Sequence, residues 1–319
     1  MRGPKHAPAS TYLAACALVV LAGLTLSLGV ICIRGASASD AWQYLFWRSL
    51  AFGLALALVA AYRHHTSPFA QIRRLGHFAW VSVGAMVASQ VCFIAAIKSG
   101  STAEVFFLMS LAPLMAALLA RPLLGERIGV LGVLAIVTAL GGLALMSGLS
   151  LQADGLHSGL WEGNWQARVL ALGTAFSFAL YSLATRGAPP GDLDAALFAV
   201  GIVTAMVSAA ALLWLGLPVA ASLRDSALAL LHGGVILAAG LVLFARGSRA
   251  VPGVTLVMLA QAETVAAPVW TYLFFNETTT QAVVLGGALI LVAVLMQASD
   301  GVRQRIALGT TASTNTSHT

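Results

Sequence analysis

The sequence predicts an all-α polytopic membrane protein: ten transmembrane helices arranged as two five-helix repeats, the second inverted relative to the first. Three observations predict it: an apolar composition, ten runs of membrane-spanning length, and a second half that aligns on the first. Of 319 residues, 59% are hydrophobic and 9% charged, against about 25% charged in soluble domains. So few charges leave too little polar surface to cover a globule in water. Soluble enzymes, disordered chains and nucleic-acid binders are excluded together, and the first partner is the lipid bilayer. The net charge of +6 does not restore a nucleic-acid reading, because the 17 basic residues are scattered between apolar runs and form no stripe. Cys16, Cys32 and Cys92 lie inside apolar runs with no Cys-x-x-Cys and no adjacent His, so neither a disulfide framework nor a metal or other cofactor is expected.

A helix crosses the hydrocarbon core in about 17 to 25 residues. In chain order the runs of that kind are Tyr12 to Ile33, Tyr44 to Tyr62, Phe78 to Ile97, Thr102 to Ala120 and Ile128 to Met146, then Ala167 to Ala184, Ala195 to Leu215, Ala227 to Phe244, Val254 to Phe275 and Ala282 to Met296. They are continuously apolar rather than alternating, which selects helices over a barrel. The first run follows Arg2 and Lys5 but exceeds the roughly 7 to 15 apolar residues of a signal sequence, so it is read as a retained span. With the N-terminus inside, twelve basic residues fall on the cytoplasmic side and five (Arg34, Arg48, Lys98, Arg168 and Arg224) on the other, which puts both termini in the cytoplasm of a bacterial inner membrane. The expected units are a tail at 1–11, a first repeat at 12–147, an external linker at 148–166, a second repeat at 167–297 and a disordered tail at 298–319.

The duplication shows in register. Arg34-Gly35-Ala36 with Asp40 recurs as Arg186-Gly187-Ala188 with Asp192, Lys98 falls on Arg249 and Glu126 falls on Glu277. All sit about 151 residues apart and at matching places relative to the spans. An odd number of spans per half inverts the second half, the architecture of alternating-access transporters with a midplane site.

Glu263 stands near the middle of the ninth span. Holding a charged carboxylate there costs about 2.5 to 3.5 kcal/mol, which makes an intramembrane acid a functional candidate by default. It suits proton relay or amine binding; the structural alternative is a carboxyl bonded to a nearby carbonyl. Pro268 leaves the Thr264 carbonyl without its helical partner, and Pro113 does the same for Met109 in the fourth span. Interrupted helices at matching places in two halves point to a transport site. Gln261 and Trp270, with Ala260 and Ala267, lie near Glu263 on the same span. In the sixth span Thr174, Ser177, Tyr181 and Thr185 share one face, either lining a cavity or bonding to their own backbone. Ser89 belongs to a mixed face of the third span, and His232 in the eighth can move protons or serve structure. Glu104, Lys98 and Arg48 lie at similar depth near the outer side as an ion pair or gate, with Arg48 snorkelling outward as the alternative.

The stretch Leu111-Ala-Pro-Leu-Met-Ala-Ala-Leu-Leu-Ala-Arg-Pro-Leu-Leu-Gly-Glu-Arg127 resembles the apolar helix ending in Leu-Gly-Glu of EamA-type permeases in the drug/metabolite transporter superfamily. Glu263 matches the first Glu of that family's second-half motif, although Thr264 stands where Pro is usual and Asn276-Glu277 replaces Gly-Glu. Arg48 matches the Arg near the start of the family's second helix. The resemblance runs from Tyr12 to Met296 and implies a central cavity lined by the first, third, fourth, sixth, eighth and ninth helices. It also implies ATP-independent transport or export of amino acids, related metabolites or drugs, by a monomer or homodimer. Protons through Glu263 are the coupling ion the residues favour. The rival class is a membrane-embedded enzyme acting on a lipid or apolar substrate, but no HExxH, GxSxG or paired acidic motif is present.

Overall fold

A computed structural model describes residues 9–64, 71–99, 105, 108–109, 111–124, 129–146, 165–189, 192–275, 285–286, 288–290, 292–293 and 295–296. Every regular element among them is helical, as expected where no water is available to hydrogen-bond an exposed backbone. The first span is α1 (Ala9–Ser27) and α2 (Gly29–Gly35), joined by a turn at Leu28. Then come α3 (Ala41–His64), α4 (His77–Ser99), α5 (Ala112–Leu124), α6 (Val130–Met146), α7 (Trp165–Gly187) and α8 (Leu193–Trp214). The eighth span is α9 (Leu223–Leu231), a π-helical segment at His232–Leu237 and α10 (Ala238–Gly247); the ninth is α11 (Gly253–Ala260) and α12 (Ala262–Phe275).

Seven of these helical stretches are long and apolar enough to cross a bilayer. They correspond to the first, second, third, sixth, seventh, eighth and ninth runs. The fifth run appears as α6, part of the fourth as α5, and the described residues of the tenth are helical. Boundaries differ modestly. Helix begins at Ala9 within the expected tail and at Trp165 within the expected linker. The eighth helix starts four residues before Ala227 because the Ser222 hydroxyl accepts the Asp225 amide at 3.1 Å and caps it.

The packing is symmetric between halves. The second span packs on the seventh and the fourth on the ninth; the third on the sixth, matched by the eighth on the first; the fourth on the sixth, matched by the ninth on the first. Exchanging each span with the one five places on returns these pairs; the sixth also packs on the ninth, with no equally extensive first-to-fourth contact among the described residues. Close crossings are made by glycines, as helix association in lipid requires. A Cβ on Gly201 would sit 2.7 Å from the Gly53 Cα, and one on Gly142 would sit 2.6 Å from the Gly286 carbonyl oxygen.

The two ends of the bundle are tied in related ways. At one end Asp192, opening the seventh span, accepts the Gly76 amide at 2.9 Å, just before the third. At the other, Asp225 accepts the amides of Ala38 and Ser39 at 2.9 and 2.6 Å, just before the second. Asp225 is buried, although it stands near a span end, where carboxylates are ordinarily solvated.

Candidate functional site

Both helices that the prolines mark are interrupted, near but not at the expected residues. In the fourth span the Leu111 amide bonds to the Leu108 carbonyl and α5 begins at Ala112. In the ninth the Gln261 amide bonds to the Met258 carbonyl and α12 begins at Ala262. Each contracts from an i−4 to an i−3 bond, 150 residues apart, one residue from the register of the repeat. Pro113 falls in the first turn of α5, where a missing amide is tolerated. The ninth-span break lies seven residues before Pro268, so that proline does not set it.

Between the breaks lies a cavity of about 110 Å³, whose lining includes Met109, Ala112, Val257, Ala260 and Gln261. A second cavity of about 210 Å³ reaches Ser37 and Lys98 at the end of the bundle that carries the 36–40 loop. Leu26, Phe93, His232 and Glu263 line both, so Glu263 stands where the outer space meets the inner. Further along the sixth and eighth spans rings pack together: Tyr181 stacks on Phe244 with centroids 5.7 Å apart, and Phe178, in the wall of the inner cavity, lies 5.5 Å from Phe244.

The expected site residues divide around this geometry. Glu263, Gln261, Ser89, Thr174 and His232 line the inner cavity. The Thr174 hydroxyl donates to the Leu170 carbonyl at 2.9 Å, within its own helix. Thr264 donates to Gln261 Oε1 at 3.1 Å. The hydroxyl stripe of the sixth span is split: Tyr181 and Thr185 line a separate small pocket with Ser82 and Leu193, and Ser177, half-buried, lines none of these spaces. Trp270 donates its indole N–H to the Ser27 hydroxyl at 2.7 Å, and Ser27, not Trp270, faces the outer cavity.

The outer ion-pair group is rearranged. Arg48 does not snorkel: it is 2% exposed, and its Nη2 donates to Gln90 Oε1 at 2.6 Å. Lys98 instead donates to the carbonyls of Ala36 and Ser39 at 3.2 and 2.8 Å, holding the same loop that Asp225 holds. Glu104 lies outside the described residues.

Sequence reasoning missed Gln90 and Tyr44. Gln90 shares the cavity wall with Arg48, and the Tyr44 hydroxyl and His232 Nδ1 are 2.7 Å apart, both buried. A lone amide inside the third span was a signal for Gln90, since polar side chains in hydrocarbon seek one another; nothing in the pattern marked Tyr44. The local backbone fits these groups closely. A Cβ on Gly233 would overlap the Arg48 carbonyl, and one on Gly29 would come within 2.5 Å of His232 Nε2. His232 opens the π segment, a wider turn that recurs at functional sites.

Comparison with known proteins adds identity to this geometry. No curated protein sequence matches the chain. Among solved structures 29 chains match; one crystal structure aligns over 89% of this chain and 98% of its own with a TM-score of 0.72 at 19% identity, a likeness of fold. Residues 13–148 match the EamA-like transporter family. This multi-pass membrane protein therefore resembles the EamA-like transporter family over residues 13–148, and shares its fold with a solved structure over 89% of its length.

Proposed function

We propose that the chain is a secondary transporter that exports a small organic metabolite across the bacterial inner membrane, with both termini cytoplasmic, by rocking two inverted five-helix repeats (12–147 and 167–297) about the cavity between the helix breaks. The observation that carries this reading is the position of Glu263: beside the break of the ninth helix, half-buried, at the junction of a space open toward the 36–40 loop and an inner one walled in part by Phe178, which packs with Tyr181 and Phe244. A site that opens toward one end is what one state of an alternating-access cycle requires. Exchange of the halves converts it into the opposite state, and the symmetric packing supports that exchange. Glu263 binds the coupling proton, or an amine of the solute, as an intramembrane carboxylate with a polar neighbour in Gln261.

The test is efflux from cells expressing wild type, Glu263→Gln or empty vector, loaded with amino acids, nucleosides, amines and organic acids. A solute class expelled by wild type and retained by Glu263→Gln, with equal amounts of both proteins in the membrane, supports the assignment. Efflux unchanged by the substitution refutes the role of Glu263.

A further inference from the structure

Arg48 and Gln90 form a pair of buried donors that nothing in the transport reading uses. Both are almost fully buried, 2% and 4% exposed, and both line the inner cavity. Arg48 Nη2 donates to Gln90 Oε1 at 2.6 Å, which fixes the amide orientation: the oxygen faces the guanidinium, so the NH₂ group must face away from it. That leaves Arg48 Nε and Gln90 Nε2, two N–H donors in one wall, without a hydrogen-bond partner. Among the described residues no carboxylate is paired with Arg48. A guanidinium removed from water and lacking a counter-charge is an unfavourable arrangement unless something supplies the charge.

The neighbourhood limits what supplies it. Arginine with an adjacent amide offers directed, planar donors of the kind that match a carboxylate rather than a spherical ion. Leu26, Met86, Phe93, Phe178 and Leu241 make much of the rest of the wall apolar, while Glu263, the carboxylate of the same cavity, Gln261 and His232 are among its other polar groups. A site of that kind takes a ligand with one charged group and an apolar body. The second-span helix is also held against the eighth by the glycine contact at Gly233, which positions the Arg48 backbone. Building a guanidinium into a lipid-embedded wall by backbone contact and an amide is the arrangement of a recognition group, since a purely structural arginine is satisfied by the protein itself.

We infer that Arg48 Nε and Gln90 Nε2 form an anion subsite that receives the carboxylate of a small organic acid with an apolar body. This rests on the reading of the cavity as a solute site and names the chemical class that the site accepts.

The experiment uses the full chain in lipid nanodiscs, in a chloride-free sulfonate buffer. The probes are straight-chain and aromatic monocarboxylates of two to ten carbons, each titrated beside its own primary amide, with sodium chloride as a separate arm. At least one carboxylate is expected to bind tenfold or more tightly than its amide and than chloride. In Arg48→Lys, which keeps the charge but lacks the Nε donor, and in Gln90→Met, which keeps the volume and leaves the guanidinium in place, the ratio should fall to twofold or less. If Arg48→Lys does not fold, Gln90→Met alone decides. Binding that never discriminates acid from amide, discrimination that survives Gln90→Met, or chloride binding as tight as any carboxylate overturns the inference. The two readings fail separately. Efflux confined to uncharged or cationic solutes refutes the subsite and leaves transport standing, whereas a discriminated carboxylate that binds but never crosses supports the subsite and refutes transport.

Discussion

Replacing Gly201 by Ala tests the crossing of the second and seventh spans, on which both the fold and the placement of Arg48 depend. The added Cβ would lie 2.7 Å from the Gly53 Cα and 2.8 Å from its nitrogen. Those are backbone atoms, so no rotamer change relieves the contact, and the helices must part by most of an ångström. Overpacking of this kind costs about 1 to 3 kcal/mol, partly offset by about 0.5 to 1 kcal/mol from replacing a helical glycine, which leaves a net destabilisation of up to about 2.5 kcal/mol. Two controls isolate the effect. A Cβ at Gly53 meets only ordinary contacts of 3.5 Å and beyond, and one at Gly84 meets nothing within 4 Å. Both Gly53→Ala and Gly84→Ala should therefore be neutral or stabilising by up to about 1 kcal/mol. Thermal unfolding of the purified proteins in one detergent, ranked against wild type, makes the measurement. Gly201→Ala melting with or above Gly84→Ala would refute the close crossing.

Three further outcomes are expected. Tyr44→Phe removes the 2.7 Å bond to His232 and leaves a buried ring nitrogen without its partner, destabilising by about 1 to 3 kcal/mol in the same melting assay; an unchanged midpoint would mean the two groups do not bond. Asp225→Ala strands the amides of Ala38 and Ser39 and should loosen the 36–40 loop, seen as faster alkylation of a cysteine placed at Ser37 than in the Asp225 parent; equal rates would count against the clamp. Reporter fusions after Gly148 and Gly187 should report outside and inside respectively, and the reverse result would overturn the inverted topology.

Much of this is legible in the amino-acid sequence, for physical reasons. Lipid forces the backbone into helices, so apolar runs read directly as spans, and the helical residues at 41–64, 77–99 and 193–214 exceed the expected runs by only one to three residues at most of their ends. The interruptions of the fourth and ninth helices are legible as a pair, although the ninth breaks at Gln261 rather than beside Pro268. A proline removes one hydrogen bond, but where a helix then yields depends on its neighbours. Arg48 escapes a reading of the chain alone because snorkelling is the default for an arginine one turn or two inside a span. Only the approach of Gln90 from another helix, with Gly233 packed on the Arg48 backbone, keeps it inside.

Composition and run length therefore determined the class of protein and the helical spans, because each is a property of the chain against its solvent; the family resemblance rested on local motifs such as Leu111 to Arg127. The tertiary structure alone decided which polar groups share a wall. It placed Glu263 at a junction of cavities, sent Trp270 to Ser27, divided the hydroxyls of the sixth helix between two spaces, and set Arg48 beside Gln90. Helical periodicity fixes a residue's face on its own helix, but which neighbour that face meets depends on crossings made by glycines such as Gly201, Gly142 and Gly233, and no one-dimensional pattern encodes those.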